Sequence, residues 1–349
     1  MSAFAVIGSG FRSAIYASVA AGLEGIDCVG FVTRRPRELP APAYGSVDEL
    51  LAAGPVDFVV TSVPVAVTPA VLADCVARGL PVLAETPPAG TPDEVASLWQ
   101  EVGGAGLVQV AEQYHLMPLH AARLAAVQAG LVGRVSQVHV SSTQLYHAVS
   151  LMRAFLAVGR EAATVRAGAF VAPLVDPLNR GGWTGDTAPR DATTTLATLD
   201  FGDGRSGLYD YTDNQTRNLL RHRRLLVRGS HGELSDESVV RLLDATTITS
   251  STFTRRQTGH DLDQNGYATD HIALDGEVLW RNPWPDQRWT DDELAVATLL
   301  TRMAAWVDGA GPAPYPLAEA CTDQLLALAI TEAAGADRPV RVDPSALLP

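Results

Sequence analysis

Lysine is absent: all 26 basic side chains of this 349-residue chain are arginines. That excludes any mechanism needing a protein ammonium group, such as a lysine Schiff base or an ammonium acid. Cysteine is scarce. Cys28, Cys75 and Cys321 are odd in number, far apart and set in apolar patterns, so they form neither a disulfide framework nor a metal spacing. Buried thiols and no metal site are expected. No run of 18 apolar residues occurs, and Gly8 and Arg12 interrupt the first apolar stretch. No membrane partner and a cytoplasmic location are therefore expected. A net charge of −13 argues against nucleic acid as a partner and suits a small polar substrate. With 47% hydrophobic and 19% charged residues and no internal repeat, the composition is that of a folded chain large enough for two domains.

Residues 1–110 alternate short apolar runs with helical periodicity. Strands are predicted at 3–8, 27–33, 56–61, 80–84 and 106–111, with helices at 12–23, 46–53, 68–78 and 92–102. Strands with so little polar alternation belong to a parallel sheet covered on both faces, an α/β doubly wound Rossmann arrangement. After Pro118 the pattern changes. A helix at 119–129, a strand from Val135 to Ser142, a helix at 147–157 and strands at 163–170, 192–201, 204–212, 223–230 and 247–254 predict an α+β domain with a large, mostly antiparallel sheet. Residues 173–191 read as a loop, and 291–308 and 317–334 as helices. The expected division is a dinucleotide-binding domain over 1–118 and a substrate and oligomerisation domain over 119–316.

The first strand runs directly into Gly8-Ser9-Gly10-Phe11-Arg12-Ser13. Gly8 permits a tight turn, Gly10 lets backbone approach a diphosphate, and Ser13 stands where a small residue lets helix meet sheet. The second strand ends in Thr33-Arg34-Arg35, with no carboxylate for a ribose hydroxyl. A hydroxyl and two guanidinium groups suit a 2′-phosphate, so the expected cofactor is NADP, with NAD as the alternative. Residues beyond the carboxyl ends of parallel strands face the ligand crevice. Ser62, Val63, Pro64, Glu85 and Gln113 are candidate cofactor contacts by that placement.

Taken in order, Gly8-Ser9-Gly10, Thr61-Ser62-Val63-Pro64, the segment from Gly79 to Pro87, Ala111-Glu112-Gln113-Tyr114 and Gly130-Leu131-Val132-Gly133 resemble the Gfo/Idh/MocA oxidoreductase family. The resemblance spans nearly the whole chain and weakens between about 143 and 290. It implies an N-terminal nucleotide-binding domain, a C-terminal sheet that often forms an oligomer interface, and a final helix, here 317–334, that returns to the first domain. A homodimer or homotetramer is expected on that basis. Members of the family carry Glu-Lys-Pro after a strand of the first sheet, with the lysine near the substrate oxygen; here the triplet is Glu85-Thr86-Pro87. They also carry an Asp-x-Gly-x-His-x-x-Asp pattern, of which the segment from Thr143 to Ser150 keeps only His147. Polyol oxidation by the usual Asp, Lys and His set is therefore not expected.

The remaining candidates for chemistry are His147 as acid or base, with Tyr146, Thr86 and Glu112 beside it. Tyr114 and His115 follow the fifth predicted strand, Tyr209 lies on a later one, and Trp183, Asp186 and Arg190 sit in the 173–191 loop. These six are candidate substrate contacts. The expected activity is NADP-dependent hydride transfer, in the reductase direction, on a small polar and sugar-like carbonyl, alcohol or imine. Two alternatives stay open: a lyase or hydrolase of glycosides that keeps its cofactor and oxidises only transiently, and a non-catalytic NADP-binding structural or regulatory protein.

Overall fold

The computed structural model describes residues 1–34, 38–264 and 266–348. Six parallel strands open the chain: β1 (Ser2–Ile7), β2 (Ile26–Val32), β3 (Ala43–Tyr44), β4 (Phe58–Thr61), β5 (Val82–Ala84) and β6 (Val108–Val110). They pair in the order β3-β2-β1-β4-β5-β6. The chain winds one way from β1 to β3 and the other way from β4 onward, so a crevice opens at the carboxyl ends of β1 and β4. Alternate residues of each strand feed two cores. Phe4, Val6, Phe31, Phe58 and Val60 pack under α1 (Phe11–Ala20) and the helix Asp291–Val307, while Ile7, Val59, Val82 and Val108 belong to the core on the other face. Burial on both sides explains the unbroken apolar runs. β3 escaped the sequence pattern because two residues carry no period.

The second sheet has nine strands and is a mixed, mainly antiparallel structure, with Val135–Ser141 running parallel to its neighbour Ser206–Thr212. The strand foreseen at 163–170 continues to Leu174, and Arg190–Asp200 pairs along its whole length. The segment between them holds a two-residue hairpin, Leu178–Asn179 against Gly182–Trp183. Gly232–Ser235 and Ser238–Asp244 were not foreseen, nor was a separate three-stranded sheet over Thr254–Gln257, Thr269–Leu274 and Glu277–Arg281. Several of these strands are short, and their burial does not strictly alternate.

Helices Leu145–Leu156 and Leu317–Ala336 cover the inner face of the large sheet. The longer one also packs on the helix Pro92–Val102, where the Gln324 amide donates to the Ala89 carbonyl at 2.8 Å. Arg153 locks the two helices together: its buried guanidinium reaches Asp323 at 2.6 Å, Glu319 and the Gly159 carbonyl. The outer face carries exposed Phe170, Leu196, Val240, Leu242 and Ile248. The sequence thus builds one rigid cleft. Its floor is the carboxyl edge of β1 to β6, and its wall is the start of helix Leu145–Leu156.

Candidate active site

Gly8 adopts φ +126°, and a Cβ there would lie 2.1 Å from the Ser62 carbonyl oxygen. Only glycine tolerates both the backbone angle and that approach. Gly8 N–H donates to Val32 O at 3.0 Å and Ser62 N–H to Ile7 O at 2.8 Å, tying the ends of β2, β1 and β4 at one point. Gly10 caps α1, and a Cβ on it would meet nothing within 4 Å. Its N–H donates to the hydroxyl of buried Ser13 at 3.2 Å, so the serine closes the turn from within. This leaves an open backbone concavity at a helix N-terminus, the shape and charge a diphosphate needs. Val63 and Pro64 continue from Ser62 along the same edge. The Thr33 hydroxyl donates to Ser9 Oγ at 3.1 Å, linking the end of β2 to the turn. Arg34 is exposed there, and Arg35 lies outside the described residues.

Beside the turn is a cavity of about 590 Å³. Phe11, Arg12, Glu85, Thr86, Gln113, Tyr114, Tyr146 and His147 all line it, so eight candidates dispersed along the sequence converge on one space. Arg12 is not left facing a cofactor alone. Its Nε donates to Glu85 at 2.9 Å and its Nη1 to Asp292 at 2.6 Å, while the Tyr16 hydroxyl also donates to Glu85 at 2.7 Å. Burial opposes the Arg12 charge, yet Glu85, Tyr16 and Asp292 outweigh it and raise the guanidinium above its ordinary value. Gln113 reaches the other Asp292 oxygen at 3.4 Å.

His147, on the cavity, pairs with Glu112 behind it. Glu112 leaves β6 with its carboxylate wholly buried, and His147 sits in the first turn of helix Leu145–Leu156. Nδ1 lies 2.8 Å from Glu112 Oε2, and the other carboxylate oxygen accepts the Tyr114 N–H at 2.9 Å. An ionised carboxylate only accepts, so Nδ1 carries the proton and Nε2 is the nitrogen left for a ligand. Burial works against both charges. The histidine nonetheless draws Glu112 below the ordinary carboxylate range, and Glu112, with Glu85 further off, raises His147 above its ordinary 6.5. The Tyr114 ring lies 4.4 Å from the imidazole, tilted by 32° to it. Glu112 itself stands behind His147 and does not line the cavity, so it acts as a positioning residue.

The other candidates are placed differently. Tyr146 borders the cavity, but its hydroxyl is buried with no hydrogen-bond partner among the described residues, and burial pushes its proton affinity well up. Tyr209 is buried beneath the helix and accepts the Leu145 N–H at 3.1 Å, serving one of the unmet donors of the first turn. The His115 ring packs edge-on against Tyr315, away from the cavity. Trp183 is 75% exposed, and Asp186 and Arg190 pair with each other; none of the three lines the cavity. Arg180, from the same loop, does, with its guanidinium 5.7 Å from the centre of the exposed Phe11 ring. Arg217, from the dense arginine group at 217–228 that the sequence offers as a basic pocket, also lines the cavity. Arg180, Gln324 and Asp292 were missed as site residues, because they arrive from a hairpin and two late helices that no local pattern marks. Among the described residues no group of three or more His, Cys, Asp or Glu stands ready for a metal ion, and no helix is long and apolar enough to cross a membrane.

This fold joins a six-stranded parallel Rossmann-like sheet to a broad, mainly antiparallel sheet across a cleft. Solved structures match it over nearly the full chain. An oxidoreductase from Agrobacterium radiobacter, in complex with NAD+, L-tartaric acid and magnesium, is 17% identical, with 99% of each chain covered and a TM-score of 0.68. A myo-inositol dehydrogenase from Corynebacterium glutamicum is 18% identical, with 98% of this chain and 99% of that chain covered and a TM-score of 0.65. A levoglucosan dehydrogenase in complex with NADH and levoglucosan is 15% identical, with 98% and 99% covered and a TM-score of 0.65. No protein-family model and no curated protein matches the sequence. The chain shares the fold of these oxidoreductases over nearly its whole length.

Proposed function

We propose that the protein is an NADP-dependent oxidoreductase that reduces a small polar carbonyl or imine, of sugar-like character, at the cavity beside His147. The observation that carries this reading is the His147–Glu112 pair at 2.8 Å, on the same cavity as the first residues of α1. The residues present fit a dinucleotide. The backbone from Gly8 to Ser13 would hold the diphosphate, Ser62, Val63 and Pro64 would flank it, and Thr33, Arg34 and Arg35 would take the 2′-phosphate. A nicotinamide bound there supplies or accepts the hydride.

The chain's own part is to move one proton and to align the substrate. His147, held protonated on Nδ1 by Glu112, gives a proton from Nε2 to the substrate oxygen or nitrogen in reduction and takes one back in oxidation. Its raised proton affinity gives it more imidazolium than a free imidazole holds at the same pH, which favours the reductive direction. With threonine at position 86, the arginines on this cavity are Arg12, braced by Glu85 and Asp292, and Arg180 and Arg217. Thr86, Gln113 and Tyr114 offer hydrogen bonds to a polar substrate.

The exposed apolar residues of the outer sheet face support a homo-oligomer built face to face, and the three free thiols agree with a cytoplasmic setting. The test is turnover of a carbonyl and imine panel with NADPH and NADH, followed by His147→Asn. That change should lower kcat by about 10²- to 10⁴-fold with cofactor affinity retained. An unchanged kcat, or no redox turnover by the native chain, rejects the reading.

A further inference from the structure

Tyr114 and Asp292 border the cavity at His147 on one side and a second cavity, of about 780 Å³, on the other. Helix Pro118–Gln128 lends His120 and Arg123 to the second wall, and Ser142 joins them just beyond the strand Val135–Ser141. Arg123 is only 6% exposed, its Nε has no hydrogen-bond partner, and it forms no ion pair with any described residue. His120 Nδ1 and Ser142 Oγ are equally shut from water and equally without partners among the described residues. Buried polar atoms in folded proteins are nearly always hydrogen-bonded, so orphans on three residues that line one cavity call for a partner there.

The charges around them decide its sign. Asp291 is held at both oxygens by Arg255 at 2.7 Å, Asp292 by Arg12, and Asp236 accepts the Leu225 N–H at 2.8 Å. Arg224 in turn is held by Asp210 at 2.7 Å. Glu237 and Arg223 are exposed at the rim. Arg123 is the deep cation that forms no ion pair with a described residue, Asp236 and Glu237 acting on it only from beyond ion-pair distance. Burial pushes it down to about 10, leaving it charged at neutral pH, and pushes His120 down to about 3, leaving that ring neutral and able to donate one N–H.

We propose that the second cavity binds the carboxylate or phosphate group of a small anion on Arg123, with His120 and Ser142 as flanking hydrogen-bond partners. A planar guanidinium closed off from water is the group best suited to either oxyanion.

The test is thermal unfolding of the full chain, free of nucleotide, with inorganic phosphate or succinate against sodium chloride at matched ionic strength. The expected result is a saturable rise in Tm of a few degrees with at least one oxyanion and none with chloride. A response to phosphate alone assigns phosphate esters, and one to succinate alone assigns carboxylates. Arg123→Met should abolish the rise, and Ser142→Ala, a smaller change that spares the helix, should raise the midpoint concentration several-fold. A wild-type Tm that follows ionic strength only, an Arg123→Met variant that keeps the rise, or an unmoved midpoint in Ser142→Ala overturns the proposal. The empty β1–α1 turn would also take phosphate, so the part of the response lost in Arg123→Met, and not the rise itself, separates this site from the dinucleotide reading.

Discussion

Glu112 and His147 divide one task. The carboxylate is buried where it cannot meet a substrate, and its effect is exerted through the imidazole it orients and charges. Glu112→Gln keeps the shape but removes the charge, so the proton affinity of His147 falls. The reductive rate, which needs imidazolium, declines as pH rises through that value; in the variant the decline should begin at lower pH. The oxidative limb, which needs neutral imidazole, should shift the same way. Steady-state pH profiles in both directions check this, and an unmoved limb would mean that another group titrates. Arg34 offers a second test. It is exposed at the end of β2. Arg34→Ala should weaken NADPH binding about tenfold or more while leaving NADH nearly unchanged, as charge-assisted bonds to a phosphate are worth about 1.5–3 kcal/mol. Equal losses in titration calorimetry would remove phosphate recognition from the account.

Helix Leu145–Leu156 places His147, and what holds that helix is not near the site. Arg153, less than two turns further along the same helix, is 3% exposed and pairs with the fully buried Asp323 on helix Leu317–Ala336. Removing one partner strands the other's charge in an apolar setting. Arg153→Met should therefore cost about 3–5 kcal/mol in denaturant unfolding, with the double variant Arg153→Met/Asp323→Leu recovering part of the loss. Loss of activity in the single variant should track loss of fold, which separates this clamp from His147 itself. The β1–α1 turn is held by a different means. Backbone approach at Gly8 and Ser62 leaves no room for any Cβ, so its geometry follows from sterics before a ligand arrives.

The two sheets meet the rest of the world unequally. Both faces of the parallel sheet are covered, whereas the outer face of the large sheet leaves Phe170, Leu196, Val240, Leu242 and Ile248 exposed across several strands. Alternation puts these side chains on the face opposite buried Ala197, Leu199 and Val239. An apolar array of this extent suits contact with a second copy. Leu196→Asp, already 43% exposed and so tolerant of charge, should convert the assembly to a smaller species by light scattering with little change in Tm. A native chain that already runs as a monomer would dispose of the idea.

The first sheet was legible because its physics is local. Apolar runs of strand length, the Gly8-Ser9-Gly10 turn and the glycine-marked helix ends each act over a few neighbouring residues, and they name the cofactor edge in order. The pairing of His147 with Glu112 was within reach as two candidates, but not as a pair, since 35 residues and a whole helix lie between them. Asp292 bracing Arg12 across 280 residues, Arg180 rather than Trp183 at the cavity, and the unmet Arg123 had no signature along the chain. Ion pairs and cavities depend on where distant segments come to rest. Packing of the late helices against the early sheet, not any local preference, sets those positions.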